Sequence, residues 1–248
     1  GSFINGIAAA GGAVGILGRN EKVAQERADA INQTGGKAIA LIADVMDEIQ
    51  LLSAKQKMLD AFGQIDGLVN GAGGNMPEGV VGPDQDIFSL NIDGMRKVME
   101  LNLYGTLIPT QVFGKTIAEK GGSIVNISSV SSTSAITRVL GYSMGKSAVD
   151  SYTRWFALEL ANRYGDKVRM NALVPGFFLT EQNRTLLTNP DGTFTTRGQL
   201  IVQNTPFKRL GHPDELIGAL VWLLSDASAF VTGTTVNVDG GFLAFSGV

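Results

Sequence analysis

The sequence contains no cysteine and only one histidine, His212. These residues can therefore form neither a disulfide nor a thiolate metal site, and a histidine cluster is excluded as well. No apolar run approaches the roughly 18 residues that cross a membrane. Neither sign of charge dominates, because 20 basic residues stand against 23 acidic ones. We therefore expect a metal-independent cytoplasmic protein that binds neither nucleic acid nor a membrane surface.

What is present suits one folded domain. The chain has 248 residues, of which 44% are apolar, and this is ample material for a hydrophobic core. Many of its 32 glycines stand at the ends of apolar runs, where tight turns need them. The sequence shows no linker, repeat or low-complexity tract, so we predict a single domain over residues 1–248.

Short apolar runs alternate with helical patterns along the whole chain. The apolar runs are rich in branched side chains and show little polar alternation, which is typical of parallel strands covered on both faces. The predicted strands are residues 13–17, 38–42, 67–70, 122–127, 168–174 and 235–238, and the predicted helices are residues 21–33, 50–62, 95–119, 143–163 and 214–224. This order predicts an α/β fold with a Rossmann-type doubly wound parallel sheet and helices on both faces.

Residues 180–205 interrupt the alternation. The segment is polar, and residues 189–192 (Asn-Pro-Asp-Gly) carry a strong turn signal. It follows a predicted strand, and ligands of α/β sheets bind beyond the carboxyl ends of the strands. We therefore predict an irregular insertion that acts as a substrate lid. The alternative is a surface loop without a role in binding.

Three polar side chains form a combination that suggests catalysis. Tyr142 and Lys146 are spaced i,i+4 at the start of a predicted helix, so both project from one face. Such a pair by itself is usually structural. Ser129, however, stands just beyond the strand predicted at residues 122–127. A hydroxyl at the carboxyl end of a strand, followed by a helix with Tyr-x-x-x-Lys, is a much rarer coincidence.

Further motifs accompany this combination in a characteristic order. They are Asp44 and Val45 after the second predicted strand, Asn70, Gly71, Ala72 and Gly73 after the third, Asn102 within a helix, Pro175 and Gly176 with Thr180 after the fifth, and residues 238–241 (Val-Asp-Gly-Gly) near the end. With these motifs the chain resembles the short-chain dehydrogenase/reductase family, from Ala13 to its end. Each motif is weak by itself, but their common order is specific.

The resemblance implies an oxidoreductase in which Ser129 holds the substrate oxygen and Tyr142 transfers a proton. A phenol has a reference pKa of about 10, and Lys146, one helical turn away, is expected to lower that pKa toward neutrality in a partly dry cleft. Lys146 is also expected to donate to the ribose of the nicotinamide. Asn102 is expected to stabilise an ordered water between Lys146 and solvent; a compatible alternative is that its amide binds backbone.

The resemblance also implies a nicotinamide cofactor, NADP or NAD. The residues implied to bind it are Asp44, Val45, Asn70, Gly71, Ala72, Gly73, Tyr142, Lys146, Pro175, Gly176 and Thr180. NAD-preferring domains place an acidic residue at the end of the second strand, whereas this chain has Arg19 and Asn20 there. Because arginine suits a 2′-phosphate, we favour NADP. Alternatively, Asn20 binds a ribose hydroxyl of NAD while Arg19 stacks on the adenine.

One element of the family has no counterpart in the sequence. A Rossmann-type domain opens with a strand and a glycine-rich turn into a helix. Residues 13–20 fit the family's second strand, and residues 6–12 fit the end of its first helix. We therefore expect that roughly 20–25 residues are missing near residues 5 and 6. They would comprise the first strand, the glycine-rich turn and most of that helix.

The C-terminal third resembles one branch of the family more narrowly. Residues 175–184 and 239–248 are similar to short-chain-type D-mannonate oxidoreductases (fructuronate reductases), which implies a sugar acid as substrate. Its carboxylate needs a cation, and its polyol chain needs amides or hydroxyls. The loop residues that offer these groups are Asn75, Arg138, Gln182, Asn183 and Arg184. The alternative for each is a solvated loop residue.

Other functions and the quaternary structure stay open at this point. The same machinery could act on gluconate, 2-deoxygluconate or another carbonyl compound, and a non-catalytic dinucleotide sensor is a more remote alternative. The resemblance implies a homotetramer in which the two long helices pack against neighbouring subunits. Trp155 and Phe156 are candidate contacts there, with core packing as the alternative. His212 is expected to be structural.

Overall fold

The computed structural model describes residues 1–181 and 183–247. Its strands agree with the predicted bounds to within one residue at either end. They are β1 (Ala13–Gly18), β2 (Lys37–Ile42), β3 (Gly67–Asn70), β4 (Gly122–Ile127), β5 (Val168–Pro175) and β6 (Thr235–Val238). Every residue of β5 except the last is buried, which explains why an uninterrupted apolar run marks this strand in the sequence.

Each predicted helix is present, and three of them begin earlier than predicted. The helices are α1 (Ser2–Ala9), α2 (Glu21–Gln33), α3 (Glu48–Phe62), α4 (Ile92–Lys120), α5 (Leu140–Tyr164), α6 (Arg184–Leu187), α7 (Thr196–Asn204) and α8 (Ile217–Leu224). The starts of α3 and α4 are set by the side chains of Asp47 and Asn91, which accept hydrogen bonds from backbone N–H groups of the first turn. Apolar periodicity does not include such a polar first turn.

A side-chain cap also accounts for His212. Its side chain accepts from the backbone N–H of Asp214, and the Glu215 side chain accepts from the backbone N–H of His212. This capping box starts the short 3-10 helix Pro213–Leu216 ahead of α8. The structural role expected for His212 is therefore confirmed.

The six strands are parallel, but they form two sheets. β1 pairs with β2, and the second sheet has the order β3-β4-β5-β6. This split is what the absence of the family's first strand would produce. Helix α1, however, continues through Asn5 and Gly6 without interruption and packs on α8, where a side chain at Gly6 would collide with Ile217. The missing segment stays a prediction.

Buried side chains join the two sheets into one domain with helices on both faces. Leu41 of β2 belongs to the same buried cluster as Phe113 of α4 and Ile124 of β4. The next residue of β4, Val125, points to the opposite face and packs with Leu220 of α8. The predicted Rossmann-type α/β fold is therefore confirmed.

The segment 180–205 contains more regular structure than predicted. Helices α6 and α7 are joined by a turn at residues 189–192, next to an antiparallel bridge between Thr188 and Phe194. The two helices touch closely, because a side chain at Gly198 of α7 would collide with the carbonyl oxygen of Leu187. The expectation of an irregular insertion was wrong, since local polar composition does not show packing between two short helices.

The two aromatic side chains proposed as subunit contacts lie in different environments. Phe156 packs against the buried cluster that contains Ile124, whereas the indole-bearing side chain of Trp155 is 61% exposed. Core packing therefore describes Phe156 but not Trp155.

Across residues 1–181 and 183–247, none of the helices combines the length and apolarity needed to cross a membrane. Within the same two ranges, histidine and acidic side chains form no group of three or more that could hold a metal ion.

A buried arginine joins β5 to the end of α8, and its removal should cost stability. Arg169 is 8% exposed and donates to the carbonyl oxygens of Leu223 (2.9 Å) and Ser225 (3.0 Å) and to the hydroxyl of Ser228 (2.6 Å). We expect Arg169→Met to lower the free energy of unfolding by about 2–4 kcal/mol, because it removes three hydrogen bonds from a buried charged group. Urea titration measures this loss, and a change below about 0.5 kcal/mol would contradict it.

Candidate active site

Three of the predicted residues come together at the carboxyl end of β4. The side chain of Ser129 lies near the phenol of Tyr142 on the first turn of α5. The hydroxyl oxygen of Ser129 accepts from the backbone N–H and from the hydroxyl of Ser131 at 3.2 and 3.1 Å. The ammonium group of Lys146 lies 5.6 Å from the centroid of the Tyr142 ring. It also donates to the carbonyl oxygen of Ile127 at 2.7 Å, which ties α5 to the last residue of β4. The spacing in the sequence thus corresponds to a real cluster.

The pKa of Tyr142 differs from the expectation. Burial raises this pKa from its ordinary value of 10.0, and the neighbouring Ser129 hydroxyl offsets only part of the rise. The expected lowering by Lys146 is therefore wrong for this structure. The physical reason is that taking the phenolate out of water outweighs the stabilisation that its neighbours supply.

The pKa of Lys146 is itself strongly perturbed. The side chain is 4% exposed, and burial lowers its pKa to about 8, against an opposing effect of the nearby Asp150 carboxylate. Asp150 lies one turn further along α5 and is also 4% exposed. A lysine with a pKa near neutrality is able to change its protonation state under ordinary conditions, which suits a group that takes part in proton transfer.

Two glycines of α5 bring this cluster close to α4. A Cβ atom at Gly145 would lie 3.0 Å from the Cβ of Asn102, and one at Gly141 would lie 3.0 Å from the carbonyl oxygen of Met95. Larger side chains at these two positions would push α4 and α5 apart. Neither glycine is among the residues predicted from the sequence. The signal that could have found them is the i,i+4 spacing of small residues on the helix face beside Tyr142 and Lys146.

Asn102 binds backbone, as the alternative interpretation allowed. Its amide nitrogen donates to the carbonyl oxygens of Gly74 and Val98, both at 2.8 Å, and its amide oxygen accepts from the N–H of Gly74 at 3.1 Å. The side chain is fully buried. It therefore fixes the loop after β3 against α4. A role in holding an ordered water stays a prediction.

The side chain of Asn70 has a structural use. Its amide nitrogen donates to the Thr110 hydroxyl at 2.9 Å and to the Asn126 amide oxygen at 2.8 Å. The amide nitrogen of Asn126 in turn donates to the Thr153 hydroxyl at 2.9 Å. These buried side chains link α4, β3, β4 and α5. The side-chain donors of Asn70 are used in this way, and the implied approach of its backbone to the cofactor stays a prediction.

The loop after β3 passes very close to the catalytic cluster. A Cβ atom at Gly73 would lie 2.5 Å from the amide oxygen of Asn102 and 3.2 Å from the ammonium nitrogen of Lys146. The φ angle of Gly73 is +150°, a value that residues other than glycine rarely adopt. Gly71 and Ala72 lead into this turn. Only a small residue without a Cβ atom fits beside the lysine.

The remaining predicted cofactor residues lie at the carboxyl ends of other strands. Arg19 follows β1, and its largely exposed guanidinium is 3.6 Å from the carboxylate of Asp44 after β2. Asn20 uses its side-chain oxygen to cap α2 by accepting from the N–H of Val23 at 3.1 Å. Val45 lies near Gly105 of α4: a Cβ atom added to Gly105 would be 3.2 Å from a methyl group of Val45.

The end of β5 is closely packed. A Cβ atom at Gly176 would lie 2.7 Å from the Cα of Asp239. The absence of a side chain at this glycine therefore allows the backbone after β6 to pack directly against it. Pro175 is the last residue of β5. The N–H of Thr180 is held by the side chain of Asn183 at 2.8 Å.

The candidate substrate residues are dispersed around this end of the sheet. Asn75 is exposed on the loop after β3, and Arg184 is exposed at the start of α6. Asn183 uses its amide on the backbone of residues 178 and 180, which favours its structural interpretation. Arg138 stands just before α5. Gln182 lies outside the described residues.

Burial of the Lys146 charge should make stability depend on pH. Its pKa is about 8 in the folded chain against an ordinary value of 10.5. Between these pH values the unfolded chain binds more protons, so this group makes the free energy of unfolding rise with pH. Lys146→Met removes that contribution. We expect the free energy of unfolding of the variant to rise less than that of the wild type between about pH 7 and about pH 10.

Urea titrations at the two pH values measure this difference. Lys120→Met, which replaces an exposed lysine at the end of α4, is the matched control and should follow the wild type. An equal rise in the wild type and in Lys146→Met would contradict the lowered pKa of Lys146.

Comparisons with known proteins agree with this geometry. The sequence profile of a family described as enoyl-(acyl carrier protein) reductase matches residues 5–243. The uncharacterized oxidoreductase UxuB of Bacillus subtilis is 42% identical over 245 residues, which cover 95% of this chain and 87% of that protein.

Solved structures are similar over nearly the whole chain. One is a provisionally described D-mannonate oxidoreductase from Haemophilus influenzae with bound NAD; it is 36% identical, with a TM-score of 0.91, and the match covers 99% of this chain and 91% of that one. Another is a gluconate 5-dehydrogenase from Burkholderia cenocepacia in complex with NADP and tartrate; it is 33% identical, with a TM-score of 0.86 and coverages of 98% and 90%. The chain therefore belongs to the short-chain dehydrogenase/reductase family and is an oxidoreductase.

Proposed function

We propose that this protein transfers a hydride between a nicotinamide cofactor and a sugar acid, with D-mannonate and its keto form as the favoured pair. The observation that carries this proposal is the Ser129–Tyr142–Lys146 cluster at the carboxyl end of β4. It supplies a hydrogen-bond donor, a proton-transferring phenol and a buried cation within one small region. A non-catalytic sensor would have no use for this proton-transfer set.

The residues around the cluster fit a dinucleotide at the carboxyl ends of the strands, where α/β sheets bind such ligands. The close fit at Gly73 leaves backbone exposed beside Lys146, and Arg19 and Asp44 stand at the ends of the neighbouring strands. In this proposal Tyr142 and Lys146 hold the nicotinamide half. Backbone at residues 71–73 and 175–176, together with Thr180, lines the rest of the binding region.

The bound nicotinamide supplies the hydride acceptor for oxidation and the hydride donor for reduction. Ser129 donates a hydrogen bond to the substrate oxygen and orients it. Tyr142 gives a proton to that oxygen during reduction and removes one during oxidation. Lys146 lies beside the phenol, and its positive charge stabilises the phenolate while the proton is away. Because the site is buried, this stabilisation is stronger than it would be in water.

The arrangement around β1 favours NADP over NAD. The guanidinium of Arg19 is largely exposed and only loosely paired with Asp44 at 3.6 Å, so it is available for a 2′-phosphate. Asn20 already uses its side-chain oxygen to cap α2, so the alternative in which it binds a ribose hydroxyl depends on its amide nitrogen. The similar structures contain NAD in one case and NADP in another.

Sugar acids are the substrates that the similarities favour. The two similar structures are described as a D-mannonate oxidoreductase and a gluconate 5-dehydrogenase, and the latter holds tartrate, which is a hydroxy acid. Gluconate is therefore the second candidate substrate. The lid formed by α6 and α7 follows β5, so in this proposal it closes over the sugar chain.

A homotetramer is proposed as well. Several large apolar side chains on the two long helices are exposed, which is unusual for surfaces that face only solvent. They are Tyr104 of α4 at 48% and Trp155 and Leu158 of α5 at 61% and 59%. Packing against neighbouring subunits would bury them.

A panel of sugar acids, each assayed with NAD and with NADP, tests the proposed substrate. We expect D-mannonate with NADP to give the highest kcat/KM, because the lid and the phosphate-binding arginine match this pair. D-Gluconate and 2-deoxygluconate serve as close analogues, and a 3-oxoacyl thioester serves as a substrate of another chemical class. If D-mannonate is oxidised no faster than D-gluconate, the result counts against D-mannonate as the favoured substrate.

Replacement of the proposed proton donor tests the catalytic role. Tyr142→Phe removes only the hydroxyl, so we expect turnover to fall by about 10²-fold or more. Cofactor affinity, measured by fluorescence of the bound reduced nicotinamide, should stay nearly unchanged. Tyr164→Phe, at the other end of α5, is the matched control and should retain activity. Unchanged turnover in Tyr142→Phe would overturn the assignment.

A further inference from the structure

Three chain segments meet around a pair of arginines beside α5. Arg138 lies in the turn that precedes α5 and donates from its Nε to the carbonyl oxygen of Val81 at 3.0 Å. The carbonyl oxygen of Arg138 accepts from the N–H of Val81 at 2.9 Å. Arg197, on the first turn of α7, donates to the hydroxyl of Thr137 at 3.4 Å. Segments that follow β3, β4 and β5 therefore converge here.

The two positive charges influence each other, and within the described part of the chain neither is paired with a carboxylate. The pKa of Arg197 is lowered by burial and by the charge of Arg138. Among residues 1–181 and 183–247, neither guanidinium has a carboxylate oxygen within 4.0 Å. Two neighbouring cations without a counter-ion repel one another, and an anion between them would relieve that repulsion.

The backbone at Arg138 is also unusual. Its φ angle is +75°, a left-handed conformation that costs energy for a residue with a side chain. The double hydrogen bond with Val81 holds it there. This conformation fixes the start of the guanidinium stem four residues before Tyr142. A strained residue that is held in this way beside a reaction centre points to a positioning function.

We propose that Arg138 and Arg197 together bind the carboxylate of the substrate and that Arg197 brings the lid helix α7 onto the bound acid. This inference rests on the proposed function, which it deepens by assigning the acid group to a pair of residues. Guanidinium groups suit a carboxylate because each can donate two parallel hydrogen bonds to it. Arg138 belongs to the body of the domain and Arg197 to the lid, so one carboxylate would contact both. Arg197 is not among the residues predicted from the sequence.

Arg197→Met tests the assignment through a comparison of D-mannonate with its neutral amide, D-mannonamide. For the acid we expect kcat/KM to fall by about 10- to 100-fold, mainly through KM, because a charged hydrogen bond is lost. For the amide we expect a change of less than about twofold. Arg197→Lys keeps the charge without the planar fork and should give an intermediate loss.

Arg163→Met is the matched control, because Arg163 lies on α5 roughly 30 Å from Tyr142 along the helix axis. This substitution should leave kcat/KM unchanged for both substrates. The inference is overturned if Arg197→Met reduces kcat/KM equally for the acid and for the amide, because that would indicate a structural role. It is also overturned if Arg197→Met leaves kcat/KM unchanged for both substrates, as expected for Arg163→Met.

Calorimetric titration of the wild type and of Arg197→Met with D-mannonate, in the presence of NADP, separates this inference from the proposed function. Binding of the acid to the wild type, with loss of affinity in the variant but without turnover in either, would support the arginine pair and refute the proposed reaction. Turnover of D-mannonate with equal affinity in both proteins would refute the arginine pair alone. Absence of binding to the wild type would refute both.

Discussion

The close approach of α4 and α5 is the constraint on which the rest of the site depends. Glycines at positions 141 and 145 allow the two helices to touch, and this contact places Asn102 directly behind the turn of α5 that carries Tyr142 and Lys146. Asn102 then holds the loop after β3, whose Gly73 fits against the lysine. A wider separation would detach that loop and expose the lysine to water.

The buried polar groups divide into those that build the site and those that are free to act. Asn70, Asn126 and Asn102 satisfy their amides within the protein, so they tie helices and strands together. Ser129, Tyr142 and Lys146 stand together at the carboxyl end of β4, where Lys146 donates to the carbonyl oxygen of Ile127. The buried lysine lowers stability at neutral pH, and this is the kind of strain that functional sites retain.

Chemistry and specificity are assigned to different parts of the fold. The proton-transfer cluster stands on β4 and α5, which are rigid elements of the core. The proposed carboxylate contacts stand on the turn before α5 and on helix α7 of the proposed lid, and a few hydrogen bonds attach both to that core. Such an arrangement would let the substrate vary among relatives while the catalytic cluster stays the same.

The sequence by itself determined the strands, the ends of the five predicted helices to within one residue, the Rossmann-type fold and the Ser129–Tyr142–Lys146 cluster. These features depend on local periodicity and on spacing along one helix, and both can be read from neighbouring residues. Tertiary structure decided the raised pKa of Tyr142, the structural use of Asn70, the splitting of the sheet and the meeting of Arg138 with Arg197. Those depend on burial and on distances between residues far apart in the chain, which no local pattern contains.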